Sequence, residues 1–164
     1  AKMLYDAPEP QGLSDDEIQI ALTKAHDRML DFRAELIART ESINAASEGQ
    51  RLGWLQMIDE GVLNDDETRK FWIVTPDDRL DQVQCAPVPS LNPNGRRIGE
   101  PFVTPVGDRQ SPTLHPLCRC AQGLVFLDID GNPIGQRPGF DKDGNATDLD
   151  DTGKAVVDSI LNGR

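Results

Sequence analysis

The sequence is poor in histidine, aromatics and positive charge, and it has no long apolar run. Only two histidines, His26 and His115, stand among 164 residues, which excludes the His-Glu-x-x-His centre and other multi-histidine hydrolase sites. The zinc deaminase signature is also missing, because no His-x-Glu occurs and Pro116 precedes a Cys118-x-Cys120 pair instead of a Cys-x-x-Cys. Seventeen Lys and Arg against 28 Asp and Glu leave a net charge of −11, which argues against a domain that grips a phosphate backbone. No stretch approaches the roughly 18 apolar residues of a membrane span, and the N-terminus lacks the charged-then-apolar pattern of a secretory signal. The expectation is a soluble chain that is not exported and has no membrane partner. Ala1 in first place fits a fragment, a processed product or the ordered part of something longer.

What is present is concentrated in one stretch, His115-Pro116-Leu117-Cys118-Arg119-Cys120, with the third cysteine, Cys85, at the far end of a proline-rich loop. Thiolate and imidazole are the usual ligands of tetrahedral zinc, and a site drawing on Cys85, His115, Cys118 and Cys120 would fix two weakly packed ends of that loop. An odd number of cysteines fits a disulfide framework poorly and a metal site or reducing compartment better. Two other readings stay open: a disulfide from Cys85 to Cys118 or Cys120, and three small buried apolar side chains with His115 hydrogen-bonded nearby. A Cys–His nucleophile pair is disfavoured, since a constrained loop rarely poises a histidine and a cysteine three residues apart for attack.

The remaining chain divides by composition. Residues 1–13 read as an extended arm. Ser14 opens a helix, with Glu17 at the capping-box spacing and Ile18, Leu22, Ala25 and Met29 forming a face expected to be buried. A second helix from about Phe32 to Glu48 ends at Gly49, and a third from about Leu52 to Glu60 ends at Gly61. After a capped turn at Asn64–Glu67, Phe71-Trp72-Ile73-Val74 reads as a buried strand, expected to pair antiparallel with Gly123–Leu127. A turn carries Leu80 and Val83 to Cys85, and 86–116 is a long Pro/Gly/Asn-rich loop in which only Pro101–Thr104 resembles a strand. Residues 128–150 read as an exposed acidic connector, and 151–164 as a C-terminal helix burying Val156, Val157, Ile160 and Leu161. The expected fold class is α+β: an N-terminal helical layer, a small antiparallel sheet and a long loop pinned near the Cys/His cluster.

Three further groups bear on chemistry. His26 sits between Ala25 and Asp27 on a helix and reads as a surface or interfacial side chain. Asp141–Asn145 imitates the start of a calcium loop, but glycine falls at the fourth position and Thr152 stands where the twelfth-position glutamate belongs, so a solvated turn is the better reading. Arg39 and Glu41 are two apart on a helix and cannot face one another, leaving either a buried ionic contact elsewhere or plain exposure.

The ordered set Ala38-Arg39-Thr40-Glu41 with Asn44-Ala45, Gly53-Trp54, Lys70-Phe71-Trp72, Asp77-Asp78-Arg79, Gly99-Glu100-Pro101-Phe102 and His115-Pro116-Leu117-Cys118-Arg119-Cys120 resembles the head-morphogenesis domain of the Mu F-like minor capsid proteins of tailed phages. The resemblance covers about residues 33–127, so the expected domain spans 14–127. It implies a non-catalytic structural protein associated with the portal inside the procapsid and virion, with scaffold and major capsid protein as further partners and no specific nucleic-acid binding. It would reside in the host cytoplasm during assembly and near the portal afterwards, supporting head assembly and possibly genome delivery. Many family members carry Cys-x-x-Cys after the Asp-Asp-Arg element. Here Asp81 and Cys85 occupy that region at a longer spacing, so His115 or Asp81 would complete a zinc site. The alternative functions are a phage-carried metal-dependent enzyme or toxin-like effector, and a zinc-stabilised interaction module.

Overall fold

A computed structural model describes residues 12–135, 137, 139–141 and 145–163. Most of the expected 1–13 arm and part of the calcium-like turn, Lys142 to Gly144, lie outside the described residues. The element order is α1 (Asp15–Asp59), β1 (Thr68–Ile73), α2 (Pro87–Leu91), β2 (Ala121–Phe126) and α3 (Asp151–Asn162), an α+β arrangement with one two-stranded antiparallel sheet. The chain forms two compact units, Ala1–Leu36 and Ile37–Arg164.

In the first unit, Ser14 and Glu17 close the expected capping box: Ser14 N donates to Glu17 Oε2 at 2.8 Å, and Glu17 N donates to Ser14 Oγ at 3.3 Å. Asp15, Asp16 and Glu17 place negative charge at the positive helix end. The face expected to be buried is not. Ile18, Leu22 and Met29 are all exposed, because the described residues of this unit are a single helix with nothing to cover it.

The second unit begins within α1, and here too the structure corrects the sequence. Gly49 does not end a helix, and one 45-residue helix stands where three were expected. A mid-helix glycine costs only about 1 kcal/mol, and no proline interrupts 15–59 to break the hydrogen-bond ladder. The ion pair of Arg51 with Glu48 bridges the place where the break was expected. Gly61 ends the helix as anticipated. Its φ of 73° allows the reversal in which Gly61 N donates to Ile58 O and Val62 N to Met57 O.

β1 pairs with β2 in the register Thr68↔Phe126 to Ile73↔Ala121, starting three residues before the expected strand. Thr68, Lys70, Trp72 and Val74 share one face of the pleat and are all buried. Trp72 and Val74 join Val88, Phe102 and the three cysteines in the main apolar cluster, and Trp72 meets Phe102 edge-on with ring centroids 5.3 Å apart. On the other edge of β1, Lys70 and Arg96 exchange backbone hydrogen bonds at 2.8 and 2.9 Å. That close approach needs glycine at position 95, where a Cβ would lie 2.7 Å from the Phe71 ring and 2.9 Å from Lys70 O.

The 86–116 loop is more structured than its composition suggests. It opens with the short helix α2, whose Pro87 suits a first helical turn that needs no N–H donor. Pro101–Thr104 contributes only an isolated bridge, Phe102↔Arg109. The Asn92 side chain organises the loop instead: Nδ2 donates to Val88 O and Val103 O, and Oδ1 accepts from Val103 N. The 128–150 segment is not wholly exposed, since Phe140 is buried and Leu149 packs against a second cluster of Leu91, Val103 and Val157. α3 docks there through Val157 and Ile160, capped by Asp150 accepting from Gly153 N, whereas Leu161 is exposed.

Candidate metal centre

Two elements of the second unit carry the sulfurs, and both are held from outside. Asp81 aims Cys85. Its Oδ1 accepts from Val83 N at 2.9 Å and Gln84 N at 2.8 Å, and its backbone carbonyl accepts from Cys85 N and Ala86 N. This carboxylate oxygen therefore shapes the turn before Cys85, and Asp81 is not among the clustered ligand groups.

The second element, 115–120, turns sharply at Leu117, whose φ of 61° is uncommon for a non-glycine residue and costs about 1–2 kcal/mol. Contacts on both sides hold it there. Leu117 N donates to Thr40 Oγ1 at 3.2 Å, Cys118 N donates to His115 O at 3.1 Å, and Thr75 Oγ1 donates to Arg119 O at 3.0 Å. Arg119 also forms a two-pronged ion pair with Asp77, which holds that carboxyl below its ordinary range.

The result brings Cys85, Cys118 and Cys120 together, with their sulfurs all within 4.8 Å of one another and each residue buried. All three are free thiols, with Cys85 Sγ 3.7 Å from Cys118 Sγ. Ligands about 2.3 Å from a tetrahedral ion lie about 3.8 Å apart, so this separation suits two corners of one coordination sphere. A disulfide would bring those atoms to about 2.05 Å.

The surroundings favour sulfur anions to different degrees. Hydrogen bonds from Cys120 and Cys85 pull the Cys118 thiol well below its ordinary value, whereas sharing that one charge pushes Cys85 and Cys120 up. The three sulfurs compete for negative charge, and a bound dication would offset the charge of their ionisation. Trp72 Nε1 is buried beside these sulfurs and has no hydrogen-bond partner among the described residues. Three soft donors, buried and already close, fit a metal ion.

His115 is beside this set and not inside it. Nε2 lies 3.1 Å from Cys85 Sγ, but the mutually close ligand atoms are the three sulfurs. Nδ1 lies 2.8 Å from Pro116 O, and since a carbonyl only accepts, Nδ1 carries the hydrogen. In the neutral ring Nε2 then keeps a lone pair on the sulfur side, and the tautomer and the N–H-to-carbonyl contact are those typical of a metal-binding imidazole. A cavity of about 20 Å³ between Thr75, Arg79, His115 and Arg119 reaches Cys85 and Cys120, with room for about one water.

None of the other candidates is among the clustered ligand groups. His26 is exposed and 3.7 Å from Asp27. Arg39 and Glu41 are both exposed, and it is Thr40 between them that makes the contact to 115–120. Asp141 Oδ1 accepts from Asn145 N, an ordinary turn contact. Lys70 was missed as a chemically distinctive group: it is fully buried, its Nζ donates to Gln110 O at 2.7 Å and lies 4.7 Å from the Phe102 ring centroid. The only signal was its place in the alternation with Trp72 and Val74 on a core-facing strand.

Compared with family models, curated proteins and solved structures, the chain matches none.

Proposed function

We propose that this chain is a head-morphogenesis, Mu F-like minor capsid protein of a tailed phage, with a fold locked by zinc on Cys85, Cys118 and Cys120 and His115 as fourth ligand. One observation supports the reading: five of the six dispersed motifs behind the resemblance meet around one centre. Thr40 of the helix motif bonds the 115–120 turn, Asp77 pairs with Arg119, and Trp72 packs on Phe102 beside the thiols. Chance matches scattered along a chain have no reason to meet in space.

In this reading the chain's own residues do structural work. Cys85 and the 118–120 pair tie together the ends of a long loop, His115 is oriented by Pro116 O, and Thr75, Asp77 and Thr40 hold the turn from outside. A bound zinc would supply a fixed tetrahedral crosslink without redox chemistry. The role is assembly and not catalysis, with the portal as principal partner, and scaffold and major capsid protein as secondary ones. The site of action is the capsid interior near the portal, reached from the host cytoplasm. The excess of negative charge suits a protein packed near DNA without clinging to it.

Copurification tests the assembly claim. The chain is expected in stoichiometric association with a portal ring and in purified particles. Particles that lack it altogether would overturn the reading. Metal analysis of protein purified under reducing conditions tests the zinc claim separately, with about one zinc per chain expected.

A further inference from the structure

From Ile18 onward, α1 carries apolar residues at intervals that alternate four and three: Ile18, Leu22, Ala25, Met29 and Phe32, which are exposed, and then the half-buried Leu36. A repeat averaging 3.5 residues is the coiled-coil seam, in which each side chain inserts between four of a facing helix. Met29 is 71% exposed and Phe32 60%. Ile20, Leu30 and Ile37 are also exposed but fall outside the seam. A helix of this length gains little stability in water without a partner for its apolar stripe.

The charges flanking the seam identify the partner. Arg28 and Glu35 border it on one side, and His26 and Arg33 on the other. In a parallel pair of identical helices, Arg28 would face Arg33 of the second copy twice, a repulsive arrangement. In an antiparallel pair with Met29 facing Phe32 of the second copy, Arg28 faces Glu35 and Glu35 faces Arg28, two attractive contacts. The same register sets Ala25 against Leu36, small against large, and brings Leu22 to the aliphatic stem of Arg39. The opposite flank brings His26 beside Arg33, which adds no like-charge pair with the imidazole counted neutral.

We propose that two copies of this chain associate through an antiparallel coiled coil centred between Met29 and Phe32. The inference stands apart from the phage reading, since it rests only on α1. In that register the apolar positions overlap from Ala25 to Leu36, a seam of about 12 residues or roughly 18 Å, below the size of a permanent interface, so association is expected at roughly 10–100 µM.

Sedimentation equilibrium of the full chain tests this. The wild type is expected to pass from monomer to dimer across that range, and Phe32→Glu to remain monomeric. Arg28→Glu alone and Glu35→Arg alone are each expected to weaken the dimer roughly tenfold or more, by placing like charges together. An equimolar mixture of those two variants restores opposite charges and is expected to dimerise about as well as wild type. Because the mixture recovers association, misfolding cannot account for the loss. A wild type that stays monomeric to about 1 mM overturns the proposal. So does a dimer that Phe32→Glu leaves intact, or one that Arg28→Glu tightens, since the last result is the signature of parallel pairing.

Discussion

Lys70→Met should change how stability depends on pH, and the size of the change follows from where Lys70 sits. The side chain is fully buried on the core face of β1, with Nζ bonded to Gln110 O and close to the Phe102 ring. Burial, and then the nearby Arg51, push its ammonium down from 10.5 to about 8. Below about pH 8 the lysine is charged in both folded and unfolded chains, and the folded state bears the cost of holding that charge away from water. Between about 8 and 10.5 the folded chain releases its proton while the unfolded chain keeps it. The unfolded state then binds more protons, so stability rises with pH. Above about 10.5 both are neutral and the cost is gone.

Each tenfold difference in proton affinity is worth about 1.4 kcal/mol, so the full rise contributed by Lys70 is about 3 kcal/mol. For a chain of this length that corresponds to roughly 10 °C in melting temperature. The cysteines of the unfolded chain ionise in the same window, so the informative quantity is the difference between wild type and Lys70→Met, in which their contribution cancels. Thermal or guanidinium unfolding of both proteins from about pH 7 to 10.5, at fixed zinc, is expected to show wild type gaining on the variant steadily. A flat difference, or one of opposite sign, would refute the account of Lys70 as a buried cation.

Four further outcomes follow from the same structure. Cys118→Ser and Cys120→Ser should each lower bound zinc measured by elemental analysis and the melting temperature of zinc-loaded protein; variants with unchanged metal content and stability would sink the site. Gly95→Ala should destabilise by about 2 kcal/mol in denaturant titration, because its left-handed φ and a Cβ 2.7 Å from the Phe71 ring both oppose a side chain. Asn92→Ala should cost roughly 3 kcal/mol in the same measurement, since three buried hydrogen bonds end on that amide. Phe102→Ala should cost about 4 kcal/mol by loss of core volume and of the edge contact with Trp72; a loss under 1 kcal/mol would mean that this cluster is not the core.

How much of this was legible in the sequence depended on how local the cause was. The Ser14–Glu17 capping box, the Gly61 terminus and the antiparallel pairing of the two apolar strands follow from short patterns, and each was expected. The single long α1 was not, because a glycine at 49 looks like a stop when propensity alone is read, while the ladder simply carries through it. Burial misled in the first unit for a different reason: periodicity states that a stripe wants cover, not that the same chain supplies it. At the centre, the clustering of Cys85 with Cys118 and Cys120 was read from residue type, but the work of Asp81 in aiming Cys85 and the burial of Lys70 depend on tertiary placement. No short motif encodes either.

The Thr75-to-Arg119 bond and the 118–120 pair adjoin the same end of the sheet, where Ile73 faces Ala121. β1 and β2 are joined by a connection far too long for a tight turn to fix which residue meets which. A slip by one residue would turn Trp72 and Lys70 out of the core. The sulfur cluster therefore acts as an index mark, setting the alignment of the two strands from outside the sheet. It follows that the loop around Val106–Asp108, exposed at its tip, is expected to tolerate added residues with strand pairing unchanged, because its length carries no information about register.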